Sequence, residues 1–150
     1  MKILSVIAAG AASAGAIFMA VRNNTEPKHL GVRDGRLAEL PSSPNSVSSQ
    51  TSIDEKRVDP FPFKEDLETT RSLVKTILEK RNQCEIVTES NHYIHAVFKS
   101  EPLRFKDDVE FYFDEANQRV DFRSSSRTGF YDMGVNEKRY EEIWKEYMGN

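Results

Sequence analysis

Arg123 and Arg139 flank, and Arg127 lies within, a turn-rich stretch, Ser-Ser-Ser-Arg-Thr-Gly-Phe-Tyr-Asp-Met-Gly-Val-Asn, that runs from Ser124 to Asn136. With Ser125 and Asn136 they supply guanidinium forks, a hydroxyl and an amide close to an expected helix start. Those are the groups that hold a phosphate or a carboxylate. The competing reading is structural: the arginines pair with Asp108, Asp132 and Glu110 and lock this last loop over a sheet. A second cluster, Asp107, Asp108 and Asp132 with Glu110, could gather hard oxygens around a divalent cation. It would then serve a metal-dependent envelope hydrolase. Against it, Glu110 has a strand partner in Arg123, and Asp107 lies near Arg104.

Other chemistry finds less support. His92 and His95 are three apart on an expected strand, which puts them on opposite faces. His95 is better read as buried in the sheet with a hydrogen-bond partner. Cys84 is the only cysteine, so neither an internal disulfide nor a CxxC site is possible. A dyad of Cys84 with His95 would lie within a sheet, and a packed, inert thiol is the better reading. There is no GxSxG elbow, no phosphate-cradling glycine loop and no HExxH. No cofactor is implied.

The elements that must position these groups follow from periodicity. Leu67, Leu73, Val74, Ile77 and Leu78 repeat at helical spacing over Asp66 to Asn82, with Asp66 as N-cap. Four strands follow: Cys84 to Glu89, His92 to Ser100, Asp108 to Asp114 and Arg119 to Ser124. The first two flank a Ser90-Asn91 turn, which would set Ile86 opposite His95. In the last two, one register sets Phe113 opposite Val120, Phe111 opposite Phe122, Asp114 opposite Arg119 and Glu110 opposite Arg123. A slip by one residue loses both the apolar and the charge match. Asn136 to Met148 closes the chain as a helix capped by Asn136. Upstream, Val47 to Ser52 suits a short edge strand. Asp59-Pro60-Phe61-Pro62-Phe63 is held extended by its prolines, with both rings on the core.

The 150-residue chain is 38% apolar and 30% charged, with a net charge of −3. Mixed charge without a basic patch argues against nucleic acid. Ile3–Val21 carries no charge and reaches roughly 28 Å as a helix, close to a bilayer core. The rest of the chain is too polar to surround it. It reads as a membrane anchor or signal segment, with Ala12-Ser13-Ala14 as a possible cleavage pattern. Basic residues after it point to a cytoplasmic body. The signal-like leader points to the non-cytoplasmic side of a bacterial inner membrane, the side adopted here. The expected organisation is an anchor over 1–22, a tether and polar arm over 23–45, and one α+β domain over 46–150. The domain is expected as a four-stranded antiparallel meander with a helix before and a helix after it, preceded by an N-terminal hydrophobic helix.

Three stretches together carry a resemblance: Ser43 to Gln50, Arg104 to Phe111, and Ser124 to Asn136 with Arg139. Over roughly residues 34 to 148 the chain resembles the bacterial and plastid proteins grouped as domain of unknown function, family 1499. The resemblance implies membrane anchoring or export and no established activity. Family members commonly carry cysteines where this chain has Leu40 and Ser46, so any redox or metal role of that loop is in doubt. Ser48, Ser49, Gln50, Arg104, Asp108, Arg123, Ser125, Arg127, Asp132, Asn136 and Arg139 are the candidate ligand-binding residues. The expected role is non-enzymatic binding of an anionic ligand or a protein partner. The hydrolase and a pocketless membrane-surface scaffold are the alternatives.

Overall fold

Alternation of Val109, Phe111 and Phe113 with Glu110 and Tyr112 makes a strand with one greasy and one polar face. The computed structural model, which describes residues 14–129 and 133–150, places that strand at the centre. We label β5 as Lys106–Asp114 and β6 as Arg119–Ser126. They pair antiparallel in the expected register, Phe113 with Val120, Phe111 with Phe122, Glu110 with Arg123 and Asp114 with Arg119. On the other side β4 (Tyr93–Lys99) pairs with β5, and β3 (Cys84–Glu89) pairs with β4. One expected pairing is corrected. A register shift between Ile86 and Thr88 sets His95 opposite Thr88 and Ile86 opposite Ala96. An irregularity of this kind leaves no trace in hydrophobic alternation.

The sheet of the described residues has six strands rather than four, in the order β1-β6-β5-β4-β3, with β2 also on β6. β1 (Ser46–Ser48) and β2 (Phe61–Pro62) both run antiparallel to β6. They cover an edge whose backbone groups would otherwise be open for pairing with another chain. Such short strands carry almost no alternation, and Pro62 has no N–H to give, so pattern alone does not reveal β2.

Helix α2 (Leu67–Glu79) starts at Asp66, whose Oδ1 accepts from the Thr69 N–H at 2.7 Å. Helix α3 (Val135–Met148) starts differently from expectation. Its N-cap is Gly134 at φ 76°, not Asn136, and glycine enters that left-handed region without a Cβ penalty. Asn136 therefore lies in the first turn, with its side chain buried. The two helices cover one sheet face. Val74, Ile77, Leu78, Ile143 and Tyr147 pack on Ile94, Ala96, Phe98, Val109, Phe111, Phe113, Val120 and Phe122. Phe61 is fully buried among them, and Phe63 packs at the margin.

The opposite face carries Tyr93, His95, Asp108, Glu110, Arg123 and Ser125, by strand alternation. The arm upstream of β1, expected as a tether and polar arm, crosses that face and is fixed to it. Leu37, Leu40 and Asn45 are buried, the Gly31 N–H donates to Glu110, and Lys56 Nζ donates to the carbonyls of Pro41 and Ser43. Single backbone and side-chain bonds make this packing, and they impose no period on the sequence. Before the arm, residues 14–24 form helix α1. The earlier part of the Ile3–Val21 segment lies outside the described residues. Among the described residues no helix is long and apolar enough to cross a membrane.

Candidate functional site

The polar sheet face is a buried charged layer. Arg123 and Glu110 are 1% and 0% exposed and face each other across β6 and β5. Arg123 Nη1 donates to Glu110 Oε2 at 2.9 Å, and the Tyr93 hydroxyl and the Gly31 N–H donate to Oε1 at 2.7 and 2.8 Å. Arg123 Nη2 donates to His29 Nε2 at 3.1 Å. A guanidinium only donates, so His29 is neutral with its proton on Nδ1. Burial and the Glu110 charge push the Tyr93 phenol well above its usual range, which keeps it a donor.

Asp108 is held just as fully. Arg127 grips it with Nε to Oδ2 at 2.8 Å and Nη2 to Oδ1 at 2.7 Å, and His95 Nε2 donates to Oδ1 at 2.9 Å. Burial pushes this carboxyl up, but the hydrogen bonds and charges of Arg127 and His95 outweigh it and hold it below the usual carboxylate range. His95 is thus buried with a partner, as read from the sequence. Cys84 also fits its reading: burial pushes the thiol up to about 11, so it stays protonated.

Between this layer and the arm lies a cavity of about 740 Å³. Asp108, Arg123, Ser125 and Arg127 line it from the sheet, and Phe18, Val21, Lys28, His29 and Leu40 line it from α1 and the arm. Arg123 Nε is buried without a hydrogen-bond partner. A buried orphan donor of this kind is uncommon in folded proteins and calls for a physical reason.

The other candidate residues fall elsewhere. Arg139 and Asn136 belong to α3 and so lie on the helix-covered side of the sheet, away from the cavity. Arg139 donates to Asp107 at 2.6 Å and to Ser124 Oγ and Asn136 Oδ1 at 3.1 and 2.8 Å, and it lies over the Phe98 ring. Asn136 donates to Asn45 O and Ser126 Oγ, both at 2.9 Å. The three arginines therefore do not converge. The acids do not converge either: Asp107 points to α3, Asp108 to the arm, and each has its own arginine. Asp132 lies outside the described residues. Among the described residues no group of His, Cys, Asp and Glu is placed to hold a metal ion.

Ser49 Oγ and Gln50 Nε2 clasp Asp121 at 2.8 and 2.9 Å, and Gln50 Oε1 accepts from the Leu37 N–H. Ser48 Oγ accepts from the Gln50 N–H. This trio fastens the arm beside the cavity and does not line it. Arg104 lies away from it, with its carbonyl bound by Asn23 Nδ2 at 3.0 Å. Sequence reasoning missed His29, Lys28, Phe18 and Leu40. The one available signal was a lone histidine in an otherwise featureless polar arm.

His29 gives this region a pH dependence. Burial, then the Arg123 charge, pull its pKa below the ordinary imidazole value, against the opposing pull of Glu110 and Asp108. The unfolded chain binds the proton first as pH falls. The stabilising contribution is complete above about pH 6.5 and is lost below it, toward the depressed folded value. His29→Gln keeps an acceptor for Arg123 and removes the titration. Urea midpoints of this variant should decline less steeply just below about pH 6.5 than those of the parent. Equal slopes would refute the assignment.

A six-stranded antiparallel sheet with α2 and α3 on one face and a buried ionic layer on the other defines an α+β domain with a polar cavity. The family model for DUF1499, a protein of unknown function, matches residues 36–146, and the chain belongs to that family. No curated protein matches the chain.

Proposed function

We propose that this protein is a binding module, not a catalyst, and that it takes a small anion in the cavity between the arm and the polar sheet face. The observation that carries this reading is Arg123. It lines the cavity, it is buried, and its Nε has no partner. Arg127 and Ser125 stand beside it on the same floor. A carboxylate or phosphate oxygen would satisfy the orphan donor, once a small shift of the Arg123 side chain opens Nε, closed to solvent in this structure, to the cavity. Of the acids that a metal-dependent hydrolase would need, Asp107 and Asp108 are engaged by arginines on opposite faces, which disfavours that alternative. A cavity of this size, ordinary for small-molecule sites, disfavours a pocketless scaffold.

The module is held at a membrane by Ile3–Val21, with the domain on the non-cytoplasmic side. The length of that uncharged run and its signal-like flanks support this placement. The test is thermal melting of the full chain in phosphatidylcholine nanodiscs with rising acetate or inorganic phosphate, against chloride at equal ionic strength. Either anion should raise the melting temperature saturably, by the equivalent of about 2.7 kcal/mol at a hundredfold excess over Kd. Flat curves for both would return the protein to the scaffold reading.

A further inference from the structure

The loop over residues 100–105, between β4 and β5, carries two large apolar side chains into water. Leu103 is 69% exposed and Phe105 39%, and neither belongs to the core. The backbone beneath them is tightly built. The Arg104 N–H donates to Ser100 O at 2.8 Å, the Ser100 N–H to Phe105 O at 2.9 Å, and the Phe105 N–H to Ser100 Oγ at 3.1 Å. A formed loop presents the apolar tip, so little ordering entropy remains to be lost when a partner covers it. Held clear of the core in this way, the pair suits an apolar surface.

The neighbour of the tip decides which surface. Residues 14–22 of α1 are all exposed, whereas Asn23 at the foot of the helix is buried. Asn23 is clamped to the loop through both ends of its amide. Its Nδ2 donates to Arg104 O at 3.0 Å, and its Oδ1 accepts from the Lys106 N–H at 2.8 Å. Lys106 Nζ also donates to Asn24 Oδ1 at 2.9 Å. The loop thus sits at the root of the helix that carries the end of the uncharged run Ile3–Val21. Asn23 is two residues past Val21, about 3 Å along a helix axis. A bilayer entered by that run therefore has its headgroup layer at the height of the loop, a depth that favours aromatic side chains. The charged residues of α1 and of residues 100–106 are Arg22, Glu101, Arg104 and Lys106. That basic excess suits lipid phosphates.

Resting on the reading of Ile3–Val21 as a membrane anchor, we propose that the 100–105 loop is a second membrane contact. Leu103 and Phe105 enter the boundary between headgroups and acyl chains beside the foot of α1. Their burial in lipid removes apolar surface from water. The Asn23 bonds tie anchor and loop into one unit, so both meet the bilayer together and the domain stands on it in a fixed orientation. No covalent step is involved.

The experiment places the full chain in nanodiscs of phosphatidylcholine brominated near the headgroup end of its acyl chains and compares tryptophan emission with that in unbrominated discs. Leu103→Trp puts a reporter at the tip, where an exposed side chain leaves room for it, and Phe105→Trp is a second, conservative one. Phe18→Trp reports on the anchor segment and Met148→Trp on the far end of α3. Each is read against the parent, whose Trp144 packs against the core. The emission added by the two loop variants should be blue-shifted and quenched as strongly as that added by Phe18→Trp. The emission added by Met148→Trp should be unaffected. Quenching of Phe18→Trp alone would overturn the loop contact and leave the anchor standing. A blue shift of the loop variants without quenching would also overturn it, since a second copy of the chain or another protein would then cover the tip. Equal quenching of Met148→Trp would do the same, because the body would then lie on lipid without orientation. No quenching in any variant would remove the anchor reading together with this one.

Discussion

Glu110→Ala should destabilise the protein by about 3–5 kcal/mol, the usual cost of leaving one member of a buried ion pair alone. Three donors lose their acceptor at once: Arg123 Nη1, the Tyr93 hydroxyl and the Gly31 N–H. The first is a full charge with almost no access to water. Glu110→Gln keeps a carbonyl acceptor and the side-chain volume, so its loss should be smaller. Urea unfolding followed by fluorescence of Trp144, the single tryptophan, measures both. A loss under about 1 kcal/mol for Glu110→Ala, the scale of an exposed pair, would mean that water reaches this layer freely.

Phe61→Ala should cost a similar amount, about 3–5 kcal/mol, through lost burial and the cavity left behind. The residue belongs to a strand of only two positions, yet its ring meets five others. The centroid distances are 6.1 Å to Phe111, 5.9 Å to Phe122, 5.5 Å to Tyr140, 5.2 Å to Trp144 and 5.2 Å to Tyr147. It thereby joins β5, β6 and α3. Phe61→Leu refills most of the space and should lose markedly less. If the alanine variant unfolds at nearly the parent urea midpoint, the segment around Phe61 is an ornament on the sheet edge and not part of its core.

The parts of the fold legible in the sequence were those with a period and a cross-check. Phe111 with Phe122 and Glu110 with Arg123 each demanded the same register, and the strands adopt it. The Asp66 cap was equally plain, because a side-chain oxygen ahead of a helical pattern has a local job. Asn136 misled for the same reason. It is a good capping residue, but Gly134 starts the helix two residues earlier and leaves the Asn136 amide to link β6 with the residue before β1. Asp107 and Asp108 were read as members of one acid cluster because they are adjacent in sequence, and Arg123, Arg127 and Arg139 as one anion site because they flank or lie in one loop. Strand alternation sends Asp107 and Asp108 to opposite sides, and the arginines follow their acids. Least legible was the cover of the polar face. Glu110, Arg123 and Asp108 alternate as solvent-facing residues would, and contacts distant in sequence, among them those of His29, Gly31 and Arg127, cover them.

That cover affects how the protein is handled at the bench. His29 and Gly31 precede residue 36, where the family match begins, so a fragment trimmed to the matched body would lack both. Glu110 and Arg123 would then meet bulk water, and Phe18 and Val21 would be gone from the cavity wall. A truncated preparation of this kind would fold around the same aromatic centre but present a different second surface. Negative binding results obtained with it would describe the shortened molecule alone.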